Sequence, residues 1–159
     1  MTLLVAGIGN IFQGDDAFGC EVVKRLASRD LPEAARLFDF GIRGLDLTYA
    51  LLDDPDLAIL IDAAPGGEPP GTLYLIEPPQ PEETSAMLEA HGMNPVQVLQ
   101  AARALGARPG RVLIVGCEPG DLGGEDGRMG LTAPVAAAVD AAAQMVFDLI
   151  QNQLVEVPV

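Results

Sequence analysis

Three short apolar runs constrain this chain more than any other feature: residues 2–6 (TLLVA), residues 56–62 (DLAILID) and residues 111–115 (RVLIV). Each is apolar at consecutive positions rather than alternate ones. That is the pattern of a strand covered on both faces. The segments between them have helical spacing. Residues 16–28 place Phe18, Val22, Val23 and Leu26 on one face, with Asp15 or Asp16 at the start. Residues 45–52 form a short helix after Gly44. Asn94 and Pro95 open a helix to about Leu105, as N-cap and first helical residue. Thr132 and Pro134 open a long Ala-rich helix to about Asn152. Residues 35–40 and 71–76 add two more strands.

Strands alternating with helices call for an α/β fold: a mostly parallel, doubly wound sheet with helices on both faces. The strand at Gly71 follows its predecessor with no room for a helix, so it is expected as an antiparallel edge. Residues 78–81 break the chain at Pro78, and the Gly- and Asp-rich residues 120–130 read as a loop. No repeat or long linker divides the chain, so a single domain over residues 1–159 is expected.

Composition narrows what the fold can do. Apolar residues are 49% of the chain but aromatics only 4%, without Trp, so the core must be built mostly from Ala, Val, Leu and Ile. The net charge of −14 argues against nucleic acid or an anionic membrane as a partner. Cys20 and Cys117 stand alone, with no CxxC, and read as buried small hydrophobes rather than a disulfide framework or structural zinc site. The N-terminus lacks a basic region and its apolar run is interrupted by Gly7 and Gly9, which is not the pattern of a signal peptide. No uninterrupted apolar stretch approaches about 18 residues, so no membrane span is expected. A cytoplasmic monomer is the resulting expectation.

In a doubly wound sheet, ligands bind beyond the carboxyl ends of the strands. Three groups stand there. The first is GIGNIFQGDDAFG, residues 7–19. Glycines at a strand-to-helix turn suggest phosphate binding, but there is no GxGxxG and no GK[ST], and Asp15 and Asp16 would repel a phosphate. A cation suits the loop better; either Asp could equally cap the helix. The second is Asp62, a charged end to an apolar strand, which also reads as a turn residue before Pro65. The third is His91, the sole histidine, in EAHGMNP. One imidazole and two carboxylates meeting at one rim would suit a divalent metal such as nickel or zinc, with positions left open for water or substrate.

These residues carry a resemblance. Residues 7–19, the LIDA segment at 60–63, HGMNP at 91–95 and VGCEP at 115–119 together resemble the hydrogenase maturation endopeptidases, in order and over nearly the whole chain. The resemblance implies a sheet of about five strands between helices. It implies a peptidase that removes a C-terminal peptide from the nickel-loaded precursor of a [NiFe]-hydrogenase large subunit. The nickel is supplied by the substrate and held only weakly by the free protein. The family's metal-binding residues carry over to Asp16, Asp62 and His91, which are also the catalytic candidates. The first of these is often Glu in the family; Asp16 is one methylene shorter. The family's glycine-containing segment facing the substrate corresponds to residues 38–47, with Gly41 and Gly44. Asp15 is then a group that positions the Asp16 loop. Rival readings are a nickel checkpoint or chaperone that binds the same precursor without cutting it, a nucleotide- or S-adenosylmethionine-binding α/β domain, and a related protease acting on another precursor.

Overall fold

The computed structural model describes residues 1–78 and 94–155. Among them the chain forms a five-stranded sheet, and each strand follows from the apolar runs. The strands are β1 (Leu3–Ile8), β2 (Ala35–Gly41), β3 (Leu57–Ala63), β4 (Leu73–Ile76) and β5 (Arg111–Cys117). The helices are α1 (Phe18–Ala27), α2 (Gly44–Leu51), α3 (Pro95–Ala104) and α4 (Ala133–Val155). The sheet runs in the order β2-β1-β3-β5-β4. The first four are parallel, and β4 pairs antiparallel with β5 at the edge, as the missing crossover helix requires.

Both faces of the central strands are covered. Leu3, Val5, Leu57, Ile59, Ile61, Leu113 and Val115 pack with α1 and α4. Their neighbours Leu4, Ala6, Ala58, Leu60, Val112 and Ile114 pack with α2 and α3. Successive strand residues point to opposite faces, so the consecutive apolar pattern fills two cores at once. The long helix α4 is apolar and long enough to cross a membrane by length and composition. Seven of its residues, from Val135 to Ile150, are nonetheless buried against the sheet and α1 at helical spacing.

Several boundaries differ from the sequence reading. The chain does not enter α1 directly: Gly14–Ala17 make a separate 3-10 turn, and α1 begins at Phe18. Strand β5 runs two residues past Val115, to Cys117, where its register with β3 continues to Ala63. The Asn94 cap holds, with its side chain accepting from Val96 N at 2.8 Å.

Strand order also locates a functional edge. From β1 the chain crosses to β2 on one side, then returns past β1 to β3 on the other. The order therefore reverses between β1 and β3, and a crevice opens beyond their carboxyl ends.

Candidate active site at the switch point

The loop leaving β1 and the last residues of β3 meet at that crevice. Glycines let them come close. A Cβ on Gly19, in the first turn of α1, would lie 2.1 Å from the Ile61 carbonyl oxygen and 2.4 Å from that of Ile8. A Cβ on Gly9 would strike the Asp16 carbonyl oxygen at 1.8 Å, and Gly9 has φ +143°, a conformation that favours glycine. The glycines of residues 7–19 thus draw protein backbone together. The space a phosphate would need beside Gly9 and Gly19 is filled by the chain itself, which removes the basis of the nucleotide-binding reading.

The adjacent acids Asp15 and Asp16 part company here. Neither caps α1, whose N-cap is Ala17 with no side-chain cap bond. Asp15 is fully buried. Its Oδ2 accepts from Gly120 N (2.7 Å), Asp121 N (3.0 Å) and Thr132 Oγ1 (2.8 Å), and its Oδ1 from Thr132 N (2.7 Å). Burial by itself raises the Asp15 pKa, but these donors outweigh it and hold the carboxyl below its ordinary value. Asp15 is therefore a clasp between the 3-10 turn and the loop after β5. The sequence reading gave it a supporting role for the Asp16 loop, and its reach proves longer.

Asp16 is half-buried, and its Oδ2 accepts from Asn10 N at 2.9 Å. Asp62 is buried at the end of β3 and receives one hydrogen bond among the described residues, from Ala63 N to Oδ1 at 2.8 Å. Burial, reinforced by the Asp16 charge, pushes the Asp62 carboxyl up to about 8, against a lowering by that one bond. The two carboxylates are thus close enough to repel each other and short of donors. A cation between them would relieve both conditions. Among the described residues no group of three or more His, Cys, Asp or Glu is arranged to hold a metal ion. His91 falls in residues 79–93, outside the described residues, and so does most of the break assigned to residues 78–81.

Both cysteines are buried, as expected. Burial first, then the Asp39 carboxylate and the charges of Asp62 and Asp16, push the Cys20 thiol up to about 12. Burial and the Asp15 charge push Cys117 up to about 11. Neither is a thiolate nucleophile near neutral pH.

Two features were missed in the sequence. Asp39, at the end of β2, joins Asp16 and Asp62 around Cys20. Glu118 is buried just past β5, and its Oε1 accepts from Tyr74 Oη (2.7 Å), Gly66 N (2.8 Å) and Glu68 N (2.9 Å). The Tyr74 bond leads in holding the Glu118 carboxyl below its ordinary value. Glu118 thereby fastens the loop that follows Asp62. The VGCEP segment marked the position, but its partner, Tyr74, is 44 residues away in the chain.

Fold and site together define an α/β protein with a paired-carboxylate centre at its topological switch point. The family model for hydrogenase maturation proteases of the HycI type matches residues 20–149, which include Asp62 and His91 and begin just past Asp16. A putative hydrogenase maturation protease of Methanocaldococcus jannaschii is 31% identical over 94% of this chain and 97% of its own length. A hydrogenase expression/formation protein, HupD, of Rhizobium leguminosarum is 36% identical over 88% of this chain and 69% of its own. The structure of the hydrogenase maturating endopeptidase HybD of E. coli superposes with a TM-score of 0.81 at 29% identity, over 96% of this chain and 94% of that one. The chain belongs to the hydrogenase maturation protease family, and it is a peptidase.

Proposed function

We propose that this peptidase removes a C-terminal peptide from the precursor of a [NiFe]-hydrogenase large subunit, and that it recognises the precursor through nickel already in place there. The carrying observation is the Asp16–Asp62 pair: two neighbouring carboxylates, one of them buried, each with a single hydrogen bond among the described residues. Such a pair is costly in the free protein and is relieved by a divalent cation. With His91 it makes an N/O/O set without a thiolate, so the free protein holds metal weakly and acquires it together with substrate.

In this reading Asp16, Asp62 and His91 grip the substrate's nickel and bring the scissile bond to the crevice. The nickel polarises the scissile carbonyl or lowers the pKa of a bound water. Asp16 or Asp62 orients that water. Asp15 and Glu118 touch neither metal nor substrate and hold the two loops in place. The high thiol pKa values at Cys20 and Cys117 leave water as the attacking group. The protein acts in the cytoplasm as a monomer, as one domain spanning the chain.

The test is mass spectrometry of a large-subunit precursor from the same organism, incubated with the protein, with and without nickel. Loss of a C-terminal peptide in the loaded sample alone is the expected result. Cleavage of both samples would remove nickel from recognition, and cleavage of neither would overturn the proposal.

A further inference from the structure

Among the described residues thirteen large apolar side chains are exposed, and six of them stand at one end of the sheet, five on three loops and one in the first turn of α2. These are Ile11 and Phe12 after β1, Ile42 and Leu45 at the passage from β2 into α2, and Leu122 and Met129 after β5. All three loops leave the carboxyl ends of strands, around the crevice that holds Asp16 and Asp62. Phe12 is 61% exposed, Ile42 67% and Met129 68%.

The exposure does not come from slack loops. Gly9 N donates to Gly41 O at 2.9 Å, joining the first loop to the second. Arg128 N donates to Phe12 O and Gly14 N to Arg128 O, each at 2.9 Å, joining the first to the third. The Asp15 clasp locks the third from beneath. Apolar side chains held out on a fixed frame mark a surface made to be covered. The two cations of these loops are paired within them, Arg43 with Asp46 at 3.3 Å and Arg128 with Asp121 at 3.2 Å, which leaves the rim's remaining charge acidic. On a chain of net charge −14, this rim gathers six of the thirteen large apolar side chains exposed among the described residues.

Charge selects the occupant. A second copy docking rim to rim would set Asp16, Asp39 and Asp62 of one protomer against the same acids of its partner, like charge facing like. An anionic membrane meets the same objection. The complement to apolar walls around an acidic floor is a polypeptide with apolar side chains flanking a positive centre. We propose that this rim is the docking surface for an apolar stretch of the precursor chain adjoining its metal centre, a reading that rests on the function proposed above. The acids grip the metal and the rim holds the surrounding polypeptide.

The experiment compares Phe12→Asp, Ile42→Asp and Met129→Asp with Leu105→Asp, an equally exposed apolar site at the far end of α3. Each is assayed for cleavage of nickel-loaded precursor and for its Kd for that precursor, and its oligomeric state is measured by light scattering. All four positions are exposed, and the melting temperature of each variant verifies folding. The rim variants are expected to raise KM and Kd about tenfold or more with kcat within about twofold, and Leu105→Asp to leave all three unchanged. Wild-type KM and Kd in the rim variants would overturn the docking surface while leaving the peptidase reading intact. A wild-type dimer dissociated by the rim substitutions would overturn it in favour of a second copy. Wild-type protein that binds precursor without cutting it would defeat the proposed function alone, and the Kd series would still decide the rim. If wild-type protein does not bind precursor, both readings fall.

Discussion

Two buried carboxylates stand at the carboxyl end of this sheet, and they are treated in opposite ways. Asp15 has four hydrogen bonds from two segments of chain, and its pKa is held down. Among the described residues Asp62 has a single bond, from its own neighbour in sequence; with the Asp16 charge nearby it is pushed up to about 8. Burial is common to both; the supply of donors separates them. A carboxylate whose lone pairs are filled is part of the frame. One left short of donors beside a like charge is available for a ligand that the free protein lacks. The same division sets Glu118, with three donors on one oxygen, apart from Asp16, with one donor among the described residues.

Activity should divide the two classes most sharply. Asp16→Ala and Asp62→Ala are expected to lower the rate of precursor processing by about 100-fold or more while the folded state persists. Near-wild-type processing in either would break the comparison on its functional side. Stability comes next. Asp15→Ala strands donors at Gly120, Asp121 and Thr132, and should cost about 3 kcal/mol, lowering Tm by roughly 6–12 °C. An unchanged Tm would deny the clasp.

Asp62→Asn carries the opposite sign. It removes the buried charge and keeps the shape, so at pH 8 it should raise Tm by about 2–5 °C while abolishing processing. The pH dependence sharpens this. The Asp62 pKa rises from 3.8 unfolded to about 8 folded, so the folded state binds the extra proton between those values. Stability from this residue is full below about 4 and is lost as pH rises towards 8. For Asp15 the folded pKa is lowered, so its contribution is present above the unfolded value and is lost as pH falls through the folded one. Melting curves of Asp62→Asn should therefore lose the decline between about pH 4 and 8 but keep the acid limb. The smallest expected effect is at Tyr74→Phe, which deletes one of three donors to Glu118 and should lower Tm less than Asp15→Ala.

Much of this fold was legible because apolar periodicity and turn chemistry are local. The doubly covered strands, the antiparallel edge and the Asn94–Pro95 helix start all followed from residues a few positions apart. The 3-10 turn before α1 was not legible: Gly14, with φ +58°, and its bond to Arg128 O set that turn, and Arg128 is remote in sequence. The site divided along the same line. Asp62 announced itself as a charge ending an apolar strand. Residue chemistry alone did not tell Asp15 from Asp16, and only the resemblance assigned them different roles, because what distinguishes them is a set of donors more than 100 residues later. Glu118 and Asp39 passed unread for the same reason, since neither neighbours its partners in sequence. His91 rests on its motif.

The Asp15 clasp also bears on when this enzyme becomes competent during synthesis. Asp15 emerges 117 residues ahead of Thr132, which satisfies it twice. Until the strand and loop that deliver Gly120 to Thr132 have left the ribosome, the first strand–helix unit must either keep this acid in water or bury it without partners. The centre beside it is therefore assembled only once residues 120–132 have emerged, more than 100 residues behind the loop that carries Asp15 and Asp16. A peptidase whose site waits on so distant a segment has little opportunity to cut before that segment has been made.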